Sequence, residues 1–307
     1  FQGNFFIHGW PYYDNGDPVA STFSGGCIRL ADEDAQKIFD AVTVGTPILV
    51  YEKDLSPDNF SYTEVRPNIQ ANAFLVADIN NNFVFLENKK SQIISAGAIT
   101  KLMTALIATE YINIEKTIQV PKEALASTSV PRLYTGMKID IYQLLFPLLR
   151  ESSNEAGEAI ALSYGRSQFI GHMNEKAKAI GMTNTVFVDP TGISPENVST
   201  TEDMFMLAKY IYHNRSFIFN ITSGKVRTNT YGESIFANLG SSNALSSNKS
   251  FFGGIADESG TEIQNSLSLF EVPFGTTIRP IFFVSLISKD AASNTNSSLE
   301  YLLERYK

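Results

Sequence analysis

The sequence predicts an α+β fold in which one antiparallel sheet is covered by helices. Short apolar runs bounded by turn residues fall near Ala73 and again close to the C-terminus, and the long stretch between them has helical periodicity. An asparagine-rich turn, Asn80-Asn81-Asn82, joins the first two of those runs as a hairpin. With 307 residues, 43% of them hydrophobic, the chain is long enough for two packed domains.

Taken in order, residues 1–53 hold a short strand over Asn4–Ile7, a glycine-rich turn, a helix and a second strand. The helix is predicted from Ala31 to Val44, with Ala35, Ile38, Phe39 and Val42 at helical spacing. Asp32 suits the positive end of its dipole. Gly45-Thr46-Pro47 ends it, and Ile48–Tyr51 reads as a buried strand. Residues 54–70 are polar, contain Pro57 and Pro67, and read as a linker. A second domain is predicted over 71–307. Its strands are Ala73–Asp78 and Phe83–Glu87 at the start, and Ser266–Val272 and Ile278–Ser288 near the end. Its helices are Ile99–Tyr111, Ile141–Arg150, Asn154–Tyr164, Ser167–Ile180, Thr201–Tyr212 and Ser298–Tyr306. Strands contributed by both ends of this block build one sheet.

The net charge of −8 argues against a nucleic-acid partner, which needs a basic surface. A single cysteine, Cys27, excludes an internal disulfide. No run of 18 apolar residues marks a membrane span.

Two residue groups carry chemistry. Cys27 lies in Ser24-Gly25-Gly26-Cys27-Ile28-Arg29, downstream of Ile7-His8-Gly9. A thiol needs a base or a positive charge to become a nucleophile near neutral pH, and His8 can be that base. The glycines let backbone N–H groups approach a tetrahedral intermediate, and Arg29 can pair with a carboxylate. Taken singly, a lone cysteine reads as a small buried hydrophobe and a lone histidine as an ordinary core or surface residue.

Together these residues resemble the catalytic core of L,D-transpeptidases of the YkuD type. The usual family box is Ser-His-Gly-Cys-Ile-Arg, and Gly25 stands here where the box has histidine. The upstream His-Gly histidine is the family's base and matches His8. The resemblance implies a cysteine acyl-enzyme acting on peptidoglycan stem peptides. It covers only the C-terminal half of such a domain. The rest is expected before Phe1, in a longer exported protein of the bacterial envelope with a signal or anchor upstream.

The second group is Ala98-Ile99-Thr100-Lys101, Ser152-Ser153-Asn154, Gly181-Met182-Thr183-Asn184-Thr185, Asp189-Pro190-Thr191-Gly192, and Gly253-Gly254-Ile255-Ala256-Asp257. This series resembles the D-alanyl-D-alanine carboxypeptidases, the low-molecular-weight penicillin-binding proteins, whose domain has a β-lactamase/transpeptidase-like αβα fold. Their first box is Ser-x-x-Lys. Lys101 matches its lysine, but Ala98 stands at the nucleophile position, and a methyl group cannot attack a carbonyl. Ser152 and Asn154 match the second box, Ser-x-Asn. The third box, Lys-Thr-Gly, falls on Ile255-Ala256-Asp257, with Ile255 at the position of the carboxylate-binding lysine and Asp257 opposing a carboxylate. Outside that pattern, Thr100-Lys101 reads as the start of an amphipathic helix and Ser152 as an N-cap.

These readings lead to a peptidoglycan-remodelling protein. A cysteine-dependent L,D-transpeptidase portion is fused to a carboxypeptidase-like domain that binds stem peptides without catalysis. β-Lactams, carbapenems among them, are further expected ligands, and no metal or cofactor is implied. Two alternatives stand beside this: a working serine carboxypeptidase carrying a serine-to-alanine replacement, and an inert envelope scaffold.

Overall fold

A computed structural model of the chain describes residues 6–19, 27–43, 46, 66–226, 234–257 and 263–306. The chain forms two compact units, Phe1–Glu64 and Val65–Lys307.

In the first unit, β1 (Ile7–His8) and β2 (Ile28–Arg29) pair in parallel. The register sets Ile7 beside Ile28 and His8 beside Arg29. Backbone bonds from Ile28 N–H to the Phe6 carbonyl and from Leu30 N–H to the His8 carbonyl extend the pairing on both sides. Helix α1 (Asp32–Ala41) follows at once, with Asp32, Glu33 and Asp34 in its first turn, where the helix dipole favours negative charge. It is shorter than the predicted Ala31–Val44. The apolar stripe read from the sequence covers no core within the described residues: none of its side chains is buried and Phe39 is 77% exposed. Ser24 to Gly26, the predicted strand Ile48–Tyr51 and most of the predicted linker lie outside the described residues.

The second unit is built on a five-stranded antiparallel sheet. Its strands are β3 (Ala71–Asp78), β4 (Val84–Asn88), β9 (Phe251–Ala256), β10 (Gln264–Phe274) and β11 (Thr277–Ser288), in the order β4-β3-β11-β10-β9. Two small ladders lie outside it: β5 (Ile94–Ser95) with β8 (Val198–Ser199), and β6 (Thr117–Gln119) with β7 (Lys138–Asp140). Alternation along the strands splits the sheet's side chains between two cores. Leu75 and Ala77 of β3, Leu267 and Leu269 of β10, and Phe282, Val284 and Leu286 of β11 join the larger core under the main helical layer. Val76, Phe270, Val272, Ile281 and Phe283 join the other, against Leu299 and Leu302 of helix α8 (Ala291–Arg305). Each fully buried Leu, Ile or Phe contributes roughly 1.5–3 kcal/mol.

The main helical layer comprises α2 (Thr100–Tyr111), α3 (Ile141–Arg150), α4 (Asn154–Tyr164), α5 (Arg166–Ala179), α6 (Thr201–Asn214) and α7 (Phe217–Ser223). Helix α2 is its axis. Its residues Thr100 to Ala108 are all buried, so it is enclosed on every side rather than amphipathic, and neighbours surround its first turn. Short polar side chains define several starts: Asp140 accepts from Gln143 N–H, Thr200 from Asp203 N–H and Asp290 from Ser293 N–H.

Candidate active sites

In the first unit the parallel register does the positioning. Side chains of residues paired across a parallel ladder share a face, so His8 and Arg29 lie on one side of the ribbon. Cys27 immediately precedes β2, and strand alternation places it on the face of Arg29, hence on that of His8. Cys27, His8 and Arg29 are all half-buried. The His8 ring is oriented by a 2.6 Å contact between Nδ1 and the Gly9 carbonyl, which fixes Nδ1 as the donor and leaves Nε2 as the basic nitrogen.

Asp32 ties the segment after His8 to the start of α1. Its Oδ1 accepts the Trp10 N–H at 2.8 Å, and Gly9 packs so closely that a Cβ there would come within 2.1 Å of the same oxygen. Trp10 in turn lies under the Arg29 guanidinium, 5.7 Å from ring centroid to Cζ. From the sequence, Asp32 reads only as a helix-dipole residue. Its tether to Trp10 is a long-range contact that no local pattern announces.

In the second unit a cleft of about 340 Å³ is lined by Ala98, Lys101, Ser152, Asn154, Thr191 and Asp257, among others. Ala98 sits in a short 3-10 turn, Gly97–Ile99, leading into α2. Lys101 lies one helical turn on, is 3% exposed, and donates from Nζ to the Thr191 carbonyl at 2.6 Å. That carbonyl is held by the Asp189-Pro190-Thr191-Gly192 loop. One carboxylate oxygen of Asp189 accepts the N–H groups of Thr191 and Gly192 and the Thr191 hydroxyl, and the other accepts Ser194 N–H and the Asn197 amide. Burial alone would raise the Asp189 pKa. The donors outweigh it and hold the carboxyl below the usual aspartate range. Gly192 is required here: its φ is +85°, and a Cβ would strike the Gly97 carbonyl oxygen at 1.8 Å.

Ser152 joins α3 to α4 with a left-handed φ of +57°. It is not the N-cap of α4. Ser153 takes that role, its hydroxyl accepting the Ala156 N–H at 3.2 Å. The Asn154 amide donates to the Ser127 carbonyl at 2.6 Å, and its backbone N–H donates to Thr128 Oγ1, which ties the 127–128 loop to the start of α4. Below it, Arg132 pairs with Glu151 through two hydrogen bonds of 2.8 and 2.6 Å. Burial would raise the Glu151 pKa, but Arg132 and the Gly240 N–H bring it below the ordinary value.

Ile255, which the resemblance sets at the third-box lysine position, stands apart from the other box residues. It does not line the cleft: its side chain is fully buried in the larger core, and its backbone is paired with Leu267. Its place within β9 sets the side chain in the core between sheet and helices, whereas Asp257 lies past the end of the strand. Asp257, just beyond β9, lines the cleft instead, and its Oδ1 accepts the Ala98 N–H at 2.7 Å. Asn265 backs it: the Asn265 N–H donates to Asp257 Oδ2 at 2.8 Å, and its amide donates to the Ser95 carbonyl.

A model of the family described as D-alanyl-D-alanine carboxypeptidase matches residues 61–253, more than half of the chain. The chain belongs to the D-alanyl-D-alanine carboxypeptidase family. Within this family it is 31% identical over 150 residues to the D-alanyl-D-alanine endopeptidase of Escherichia coli, covering 47% of this chain and 48% of that protein. It is 34% identical over 148 residues to the corresponding endopeptidase of Haemophilus influenzae, covering 46% and 50%. The chain thus spans about half the length of these curated relatives. Among solved structures, the D-alanyl-D-alanine carboxypeptidase of Mycobacterium tuberculosis superposes with a TM-score of 0.65 at 18% identity, covering 76% of this chain and 95% of that one. Penicillin-binding protein D2 of Listeria monocytogenes, in its ampicillin-bound form, superposes with a TM-score of 0.65 at 22% identity, covering 76% and 99%. These structures share the α+β fold of this carboxypeptidase-family chain. A second family model, the L,D-transpeptidase catalytic domain, matches residues 1–50.

Proposed function

We propose that this member of the D-alanyl-D-alanine carboxypeptidase family processes peptidoglycan peptides through a cysteine in its first unit and binds stem peptides in its second. Under this reading the two portions are fused parts of one bacterial envelope protein, with the domain limits drawn at 1–53 and 71–307. The observation that carries it is the parallel pairing of β1 with β2, which brings the strand of His8 beside that of Arg29 with Cys27 at its start. The match of the L,D-transpeptidase model to residues 1–50 supports it. On the other side stands Ala98, where the second unit needs a hydroxyl.

The chemistry runs as acyl transfer. His8 takes the thiol proton, and the Cys27 sulfur attacks the carbonyl of the third stem residue. The peptide C–N bond to the terminal D-alanine breaks, and its amine leaves with the proton from His8. An acceptor amine then attacks the thioester, the C–S bond breaks, and the proton returns to sulfur by way of His8. Arg29 holds a substrate carboxylate or its neighbour Trp10. In the second unit Lys101, Ser152 and Asn154 line a groove for peptide, and the methyl group of Ala98 gives a β-lactam no nucleophile with which to form an adduct.

The test is incubation of the full chain with tetrapeptide and pentapeptide stems, following D-alanine release by mass spectrometry beside a Cys27→Ala control. Release from the tetrapeptide that falls at least a thousandfold in the control is the expected outcome. Release from the pentapeptide that survives the control would overturn it and make the second unit catalytic.

A further inference from the structure

The Ala98 N–H points out of the turn that opens α2, where an acyl-transfer enzyme would offer a backbone donor to an oxyanion. In this chain that donor is already taken. Asp257 Oδ1 accepts it at 2.7 Å, while Oδ2 accepts Asn265 N–H at 2.8 Å. The carboxylate is wedged rather than draped. A Cβ on Gly97 would meet its Oδ1 at 2.6 Å and the Asn265 amide at 2.8 Å. Asn265 is itself anchored, donating to the Ser95 carbonyl and accepting Ile287 N–H. Lys101, the cation lining the same cleft, is 3% exposed and turned to the Thr191 carbonyl.

We infer that Asp257 is the specificity determinant of the second cleft, an internal anion that shuts out peptides ending in a free carboxylate and leaves the cleft to peptides whose terminus is blocked as an amide. The inference rests on the reading of this unit as a stem-peptide binder. A second carboxylate in a cleft whose anion donor is occupied meets like charge in a partly desolvated space, where it is screened far less than in water. An amide terminus carries no such charge and keeps the remaining contacts with Asn154 and the Thr191 loop. The peptide class selected is therefore one in which the terminal carboxyl has been converted to an amide, as in a stem already joined to a neighbour.

The experiment compares two probes on the full chain carrying Cys27→Ala, which removes turnover: a synthetic stem pentapeptide as the free acid and the same peptide as its C-terminal amide. Affinities are read by calorimetry. The amide is expected to bind at least tenfold more tightly than the acid. That ratio is expected to fall towards one in both Asp257→Asn and Asp257→Thr, two variants with different hydrogen-bonding capacity, each checked for an unchanged melting profile. Equal affinities in the parent, or a ratio that both variants preserve, would overturn the role of Asp257 while leaving the peptide-binding reading intact. Binding of neither probe to any of the proteins would overturn that reading and the inference with it.

Discussion

In the first unit the candidate reactive atom, the Cys27 sulfur, stands at the edge of two two-residue strands, while in the second the corresponding position, Ala98, is backed by a five-stranded sheet and a helix buried from Thr100 to Ala108. The first places a thiol, an imidazole and a guanidinium on one ribbon face. The second surrounds Ala98 with fixed neighbours: Lys101 is held by Thr191, the Thr191 loop by Asp189, and the 127–128 loop by Asn154. The contrast separates the framework that a fold supplies from the reactive atom that a reaction needs, since function lives in the site and not in the fold.

The sharpest break of this comparison is His8→Gln, which keeps a hydrogen-bonding side chain but removes the base. It is expected to lower kcat/KM for tetrapeptide by about 10²–10⁴-fold. A variant within threefold of the parent would put the base elsewhere.

Next comes the support of the second cleft. Asp189→Ala strips the partners from several buried N–H and O–H groups and is expected to cost roughly 3 kcal/mol or more, read as a lower denaturant midpoint for the second unit. The effect has a pH signature. The folded-state pKa lies below the ordinary aspartate value of 3.8, so the Asp189 contribution is complete above that value and is lost as pH falls through the lower folded one. The gap between parent and variant should therefore narrow in acid, and a gap that widens there would contradict the direction of the shift.

A smaller effect sharpens the first unit. Asp32→Ala frees the Trp10 N–H, and with it the segment that carries His8, and is expected to reduce kcat about tenfold with KM little changed. Asp32→Asn, which can still accept that bond, should recover most of the loss. The smallest is Ser153→Ala, worth about 1 kcal/mol of stability as a lost N-cap. If Ser152→Ala destabilised more, the assignment of the cap to Ser153 would fall.

Where local pattern and tertiary packing agree, the sequence was legible. Helices α3 and α4 have the predicted bounds, and the hairpin of β3 and β4 differs from prediction only at its ends. Legibility fails where packing overrides propensity. Helix α8 begins at Ala291, seven residues before the predicted Ser298, through Ser, Asn and Thr residues that are poor helix formers. Its first turns are secured by tertiary bonds, with the Asn294 side chain accepting Gln70 N–H and donating to Ser288. Helix α7, with only 7 residues, is too short to show a helical period in the sequence. In the cleft, the matching boxes marked Ala98, Lys101, Ser152 and Asn154, all of which line it. Of the stretch expected to carry the third box, Ile255 is buried in the core and Asp257 lines the cleft, a division that a run beginning Gly253-Gly254 does not announce. Asn265 carried no signal at all.

The sheet order has a consequence for how the second unit comes into being. Its middle strand, β11, is the last to be synthesised, yet it must seat between β10 and β3, aligning Ile281 with Asp78 across nearly the whole of the unit. Until then β3 has one edge unpaired, and the larger core has no floor. Such high contact order places folding on the slow side of the range for mixed domains. The chain must be translated through Ser288 before this sheet can close, and β3 and β4 wait for most of that interval without the strand that joins them to β10.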